Sequence, residues 1–340
     1  MSFRLLKRFT FIPEVSGRYY SFPTACVNEQ GVVVLSYRDA CVSGKELPSE
    51  YNGHGENGDM FILGWNSKSK ERVFHYKVYD HQFTGENEQN TILSTTGEGD
   101  VFLFSRQHGK SNKVYFAASQ NGGQSFSFRQ EVSIKEFEFL ACYGKIRKFE
   151  NFLVAPVYGV SSDYDPGNRR CGAAWIYSEK TSFEWKLGGW ISHPLKGGPS
   201  FNETALFISE GQGVSVSRSG EGGEMLYTSF SKRGLKKWSA PVPLGFRGEA
   251  PELHRFGSNK IGLSYRGFSD DGCFFWGLRV SKDFGKSWGD PFFLDEYSGS
   301  RFHGGYGDIV PLGENQWLGV FYSPGKSGLP AIQGVCFAFD

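Results

Sequence analysis

Six short runs of alternating apolar and polar residues punctuate the chain, each closing on an arginine or a tyrosine. They are Gly31 to Arg38 (GVVVLSYR), Gly99 to Arg106 (GDVFLFSR), Phe152 to Tyr158 (FLVAPVY), Gly213 to Arg218 (GVSVSR), Ile261 to Arg266 (IGLSYR) and Trp317 to Tyr322 (WLGVFY). Period-two alternation with a glycine at hand is the pattern of a strand with one packed face. A strand-like segment precedes each run, near residues 21–27, 89–95, 138–143, 202–208, 250–255 and 305–310. Segment and run together predict six hairpins, the first and second strands of six sheets.

A second repeat lies downstream of the first. Ser281-Lys282-Asp283-Phe284-Gly285-Lys286-Ser287-Trp288 and Ser119-Gln120-Asn121-Gly122-Gly123-Gln124-Ser125-Phe126 both follow Ser-x-Asp/Asn-x-Gly-x-Ser-aromatic. Asp or Asn can cap its own turn through backbone N–H groups, and glycine supplies a positive φ. The aromatic can pin the hairpin to its sheet. Looser copies keep an aromatic seven positions after a serine, at Ser67 and Phe74, Ser178 and Trp185, and Ser231 and Trp238. The successive serines lie 52, 59, 53 and 50 residues apart. One four-stranded propeller blade takes about 40–50 residues, so the period is one blade with its loops. Chance accounts for one such coincidence but not for five on one period. The predicted fold is all-β, a six-bladed β-propeller occupying residues 1–340 as one domain. The segment from Ile332 would be the third strand of the last blade, and Leu5 to Ile12 its outer strand. Closing the ring with both chain ends leaves no open sheet edge.

Composition agrees with tight turns and many strands, with 45 Gly, 14 Pro and 16% aromatic residues among 340. The formal net charge is +1, so nothing in the bulk electrostatics draws the chain to nucleic acid or to an anionic membrane. Recognition of an anion must come from a local cluster of positive residues. No apolar run approaches the 18 or so residues of a membrane span. Arg4, Lys7 and Arg8 interrupt the N-terminal apolar stretch, so no signal-peptide core is present. The six cysteines are scattered without CxxC spacing, which argues against zinc and suggests no disulfide framework. The expectation is a monomer in a reducing compartment, without metal or cofactor. A phage particle or an unconventional export route leaves the same record.

Candidate chemistry follows from the hairpins. Glu203 opens one first strand and Arg218 ends the second strand 15 residues later. In an antiparallel hairpin those positions lie at the same end. Arg266 holds the matching place one blade on, and Arg38 the matching place in the first blade. Guanidiniums converging on the axis form a fork for a carboxylate. The bland alternative is a set of Arg–Glu pairs that close each blade. Tyr306, between Gly305 and Gly307, heads the last central strand. A lone tyrosine there is usually a packed core residue, and the company of Glu203 gives this one interest.

In these residues the chain resembles the sialidase (neuraminidase) superfamily, over nearly all its length. The serine-to-aromatic turns resemble the Asp boxes of that family. Tyr20-Ser21-Phe22-Pro23-Thr24-Ala25 resembles its Tyr-Arg-Ile-Pro-Ala, and Tyr306-Gly307-Asp308-Ile309 its Tyr-Ser-Asp-Leu. The resemblance implies a retaining glycoside hydrolase acting on sialic acid or a related acidic nonulosonic sugar. It implies Tyr306 as nucleophile, Glu203 as its base, and Arg218 and Arg266, with Arg38, as carboxylate ligands. A neutral tyrosine suits a substrate whose own carboxylate repels a carboxylate nucleophile. The acid is implied in the loop from Asp39 to Asp59, with Asp59 preferred over Glu56 and Asp39. The departure is Ser21, which stands where the family has its first arginine. An endosialidase-like, phage-borne depolymerase and a non-catalytic glycan- or protein-binding propeller are the alternatives.

Overall fold

The computed structural model describes residues 2–42, 54–109, 112–164, 169–194, 198–220, 224–232, 234–257, 260–269, 272–313 and 315–339. These residues form six antiparallel sheets set in a ring, a six-bladed β-propeller. The inner strands are Arg18–Val27, Asn87–Thr95, Phe137–Cys142, Phe201–Ser209, Glu249–Arg255 and Gly307–Gly313, in blades 1 to 6. The second strands are Val32–Cys41, Val101–His108, Phe152–Ser161, Gln212–Ser219, Ile261–Phe268 and Gln316–Pro324. Each alternating run is therefore a second strand, and each preceding segment an inner one. The ring closes as expected: Phe3–Ile12 lies antiparallel on Pro330–Phe339, with Leu5 opposite Phe337 and Ile12 opposite Ile332.

The serine-to-aromatic motifs fall between third and fourth strands. In blade 5, Ser281 Oγ accepts from Gly285 N at 2.7 Å, and Asp283 Oδ1 accepts from Ser287 N at 2.9 Å. In blade 2, Ser119 and Asn121 hold Gly123 N and Ser125 N at 2.9 and 3.0 Å. Asp283→Ala removes an acceptor used by three donors of one turn. It is expected to cost about 1–2 kcal/mol. The readout is a lower denaturant midpoint at unchanged slope, and an unmoved midpoint would remove the turn from the sources of stability.

Inter-blade packing is aromatic. Trp276 of blade 5 is fully buried and stacks on Phe321 of blade 6, ring centres 5.0 Å apart. Five inner strands carry an irregularity at the end nearest the site, among them Ser21/Thr24, Phe201/Thr204 and Glu249/Glu252. Such bulges re-aim side chains. No described helix is long and apolar enough to cross a membrane.

Candidate active site

Tyr306 enters the axis at the head of the blade 6 inner strand. Gly305 beside it has φ +82°, and a Cβ there would sit 2.6 Å from the Arg266 side chain. Glycine is thus required for Tyr306 to reach its position. Its hydroxyl donates to Glu203 Oε1, across from blade 4. Glu203 Oε2 accepts from Arg218 Nη1 at 3.0 Å and from Ala250 N at 2.9 Å. The Arg266 guanidinium carbon stands 4.7 Å above the Tyr306 ring. Burial, and then the Glu203 charge, push the Tyr306 hydroxyl well above its usual range, although Arg266 and Arg218 oppose them. Tyr306 is therefore a neutral hydroxyl in contact with a proton acceptor.

Arg218 and Arg266 do converge, as their spacing predicts. The carboxylate between them, however, belongs to the chain itself. Both Nη2 atoms donate to the two oxygens of Glu249, which is fully buried. Arg266 Nη1 also donates to the carbonyls of Arg301 and Gly304 at 2.5 and 3.0 Å. Burial pulls the Glu249 carboxyl upward, but Arg266, Arg218 and Arg301 outweigh it and hold it below the usual range. The expected open fork for a ligand carboxylate is corrected here to a closed ionic unit.

Arg38 is not brought to this cluster. Its guanidinium is buried and donates to Glu88 O at 2.6 Å, Gly55 O at 3.0 Å, Asn87 Oδ1 at 2.8 Å and His54 O. Burial pulls it down to about 10. It ties the end of blade 1 to blade 2 and has no free edge for an anion. Asp59, the preferred acid, lies outside the axial cavity. It accepts from His81 N and Nδ1 at 2.9 and 2.7 Å and pairs with Lys77 Nζ at 2.8 Å. Burial raises it, but Lys77 and His81 together hold it below the usual range, the wrong direction for a proton donor. Lys77 also pairs with Asp80 at 2.8 Å and supplies the cation of that acidic cluster. Asp39 pairs with Arg18 at 2.6 Å, and Glu56 is exposed. Of the loop that separates them, residues 43–53 lie outside the described residues.

At Ser21 the hydroxyl is buried with no hydrogen-bond partner. The next residue, Phe22, has φ +51° and lays its ring 5.2 Å from Tyr306 and 4.5 Å from His54. Apolar surface thus flanks the tyrosine on the blade 1 side.

The axis holds a cavity of about 120 Å³ lined by Tyr306, Glu203, Tyr143, Tyr158, Arg106 and Asn90, among others. Lys145, Asp308 and Glu252 also line it. Lys145 Nζ sits 2.8 Å from Asp308 Oδ2, and Arg147 Nη2 sits 3.0 Å from Glu252 Oε1. Burial pushes Glu252 up to about 7, and the Arg147 contact does not compensate. A carboxyl raised in this way contributes stability below its unfolded value of 4.5, and loses it as pH rises through about 7. Between about pH 5 and about pH 8 the thermal stability of Glu252→Gln is expected to rise relative to that of the parent. A constant difference between the two proteins would show that Glu252 titrates normally.

Three residues escaped the sequence reading: Glu249, Glu252 and Arg106 as a lining residue. A signal for the first exists. Glu249-Ala250-Pro251 precedes Arg266 by 17 residues, the spacing from Ser21 (in Ser21-Phe22-Pro23) to Arg38. Ala250 and Phe22 share a positive φ, 53° and 51°.

No family model and no curated protein sequence matches the chain. Solved structures do. A protein of unknown function from Dyadobacter fermentans superposes with TM-score 0.81 at 17% identity, covering 99% of both chains. The Hadza microbial sialidase Hz136 gives 0.68 at 13% identity, over 94% of this chain and 65% of that one. Trypanosoma rangeli sialidase in complex with the inhibitor DANA gives 0.67 at 11% identity, over 97% and 59%. The chain thus spans roughly three fifths of the length of these two sialidases. Fold and comparison define the class: a six-bladed propeller of the sialidase fold.

Proposed function

We propose that the protein is a retaining glycoside hydrolase acting on an acidic sugar, with Tyr306 as nucleophile and Glu203 as its base. The observation that carries this is the hydrogen bond from the Tyr306 hydroxyl to the Glu203 carboxylate, made on the axis by residues of blades 6 and 4. Ordinary propeller packing does not require an acidic group and a tyrosine hydroxyl to meet there, and burying both carries a desolvation penalty. In the reaction, Tyr306 Oη attacks the anomeric carbon while its proton passes to Glu203. The glycosidic C–O bond breaks and the leaving oxygen takes up a proton from solvent. Water then attacks the same carbon and gives a proton to solvent, the bond to Tyr306 Oη breaks, Tyr306 recovers its proton from Glu203, and the configuration is retained. Arg218 and Ala250 N hold the Glu203 carboxylate on its second oxygen, leaving the first for Tyr306. The neighbours named as sialidases support the sugar class by likeness of fold.

A second reading, a propeller that binds glycans without cleaving them, is favoured by the closed Glu249 unit and by Ser21. Methylumbelliferyl glycosides of N-acetylneuraminic and glucuronic acids separate the two readings, because the aryl leaving group needs no proton donor. Release of the fluorophore is expected. Glycan-array binding with no release from either substrate favours the second reading.

A further inference from the structure

Four second strands carry an arginine near the same end of the ring, and three of these arginines are occupied. Arg38 is held by carbonyls and by Asn87, and Arg218 by Glu203 and Glu249. Arg266 is held by Glu249 and two carbonyls. Arg106, in blade 2, has only the Tyr158 hydroxyl, to which its Nη1 donates at 3.1 Å, and the Phe139 ring at 5.5 Å. Its Nε is buried with no partner. Arg218 and Arg266 also leave Nε unpaired, but each carries a carboxylate on its outer edge. The other charges that line the cavity are matched within the protein: Lys145 with Asp308, Glu252 with Arg147, and Glu203 with Arg218. Among the described lining residues, Arg106 is the one cation without a carboxylate.

We propose that Arg106 receives the acidic group of the ligand, and that this group is remote from the anomeric carbon, as in a hexuronic acid. The inference rests on the reading of the axial cavity as a sugar site. Its geometry follows from the ring. Tyr158 and Phe139, which hold the Arg106 guanidinium, belong to blade 3, and Tyr306 belongs to blade 6, three blades away. A sugar whose reacting carbon meets Tyr306 presents its far side to Arg106. In a hexuronic acid the carboxylate is on that far side, whereas a 2-keto sugar acid carries it on the reacting carbon, where Arg218 and Arg266 are already engaged by Glu203 and Glu249. Asn90, opposite Arg106 in the blade 2 hairpin, and Gln89 line the same wall and can bond ring hydroxyls. A planar guanidinium held only by a hydroxyl and a ring keeps donors for charged hydrogen bonds to a carboxylate.

The test is calorimetric titration of the parent, Arg106→Gln and Arg106→Lys. The probes are D-glucuronic acid, D-galacturonic acid, N-acetylneuraminic acid, and the neutral D-glucose and D-galactose. One uronic acid is expected to bind the parent at least about tenfold more tightly than its neutral counterpart, the scale of one good charged contact. Arg106→Gln should erase that preference, and Arg106→Lys should keep part of it because charge survives without the fork. The proposal is overturned by a preference that survives Arg106→Gln, by no preference for either uronic acid, or by a parent that prefers N-acetylneuraminic acid to both. Turnover in Tyr306→Phe decides the catalytic reading separately. Arg106-dependent binding beside undiminished turnover in Tyr306→Phe would keep the Arg106 site and remove Tyr306 as nucleophile.

Discussion

Tyr306→Phe is expected to fold as the parent does and to lose turnover by about 10³-fold or more, the scale on which a lost nucleophile or its base is felt. The substitution removes one oxygen and almost no volume. Glu203 loses one hydrogen bond and keeps two, from Arg218 Nη1 and Ala250 N. The stability change is therefore confined to about 1–2 kcal/mol. Glu203→Gln should lower turnover comparably, because the amide keeps the shape but cannot take the proton from a hydroxyl that burial holds in its neutral form. The two losses should not add, since the residues act as one unit. The measurement is kcat on a methylumbelliferyl glycoside cleaved by the parent, with near-ultraviolet circular dichroism as the check on folding. A Tyr306→Phe protein that turns over like the parent removes Tyr306 from the chemistry.

Glu249→Ala is expected to cost about 3–5 kcal/mol, the largest stability loss of any single substitution considered. Its carboxylate joins two guanidiniums inside the ring, and it is itself fully buried. Arg266 beside it is 1% exposed, so removing the acid leaves a buried cation with two carbonyls and the Tyr306 ring but no carboxylate. Breaking a buried pair in this way is far more damaging than the pair is stabilising. Chemical denaturation should show the full drop at pH 7, and a smaller drop in acid once the parent carboxyl is itself protonated. That sign follows from the lowered pKa of Glu249, whose stabilisation is present above its unfolded value and lost as pH falls through its folded one. A loss under about 1 kcal/mol would mean the guanidiniums rearrange to solvent and the unit is not structural.

The architecture was largely legible in the sequence because each blade repeats the same two demands. An alternating run must pack one face, and a turn must cap itself with a side chain and a glycine. Those demands leave local marks, and the inner and second strands fell where the marks are. Glu203, Arg218, Arg266 and Tyr306 were legible for a related reason: their place in a hairpin fixes the end of the ring to which they point. Hairpin position does not say who meets whom across the axis. Arg38 had the same sequence credentials as Arg218, yet Glu88 O and Asn87 Oδ1 of blade 2, with two carbonyls of its own blade, took its guanidinium. Asp59 sits opposite Asp39 in a strand pair, and Lys77 with His81 claimed it from the adjoining strand and turn. Glu249 was overlooked although it faces Arg266 in its own hairpin 17 residues on; its second partner, Arg218, lies 31 residues back in the neighbouring blade, which hairpin position does not show.

The most direct measurement is covalent trapping. The protein would be incubated with 2,3-difluorosialic acid and, separately, with a 2-fluoro glucuronyl fluoride, and then examined by intact mass and peptide mapping. A fluorine beside the anomeric carbon slows both formation and hydrolysis of the glycosyl-enzyme, and the good leaving group restores formation alone, so the intermediate accumulates. Expected is one added glycosyl unit from one of the two reagents, mapped to the peptide that contains Tyr306 and absent in Tyr306→Phe. An adduct on any other residue, or slow turnover of either reagent with inversion at the anomeric carbon and no adduct, would contradict nucleophilic catalysis by Tyr306.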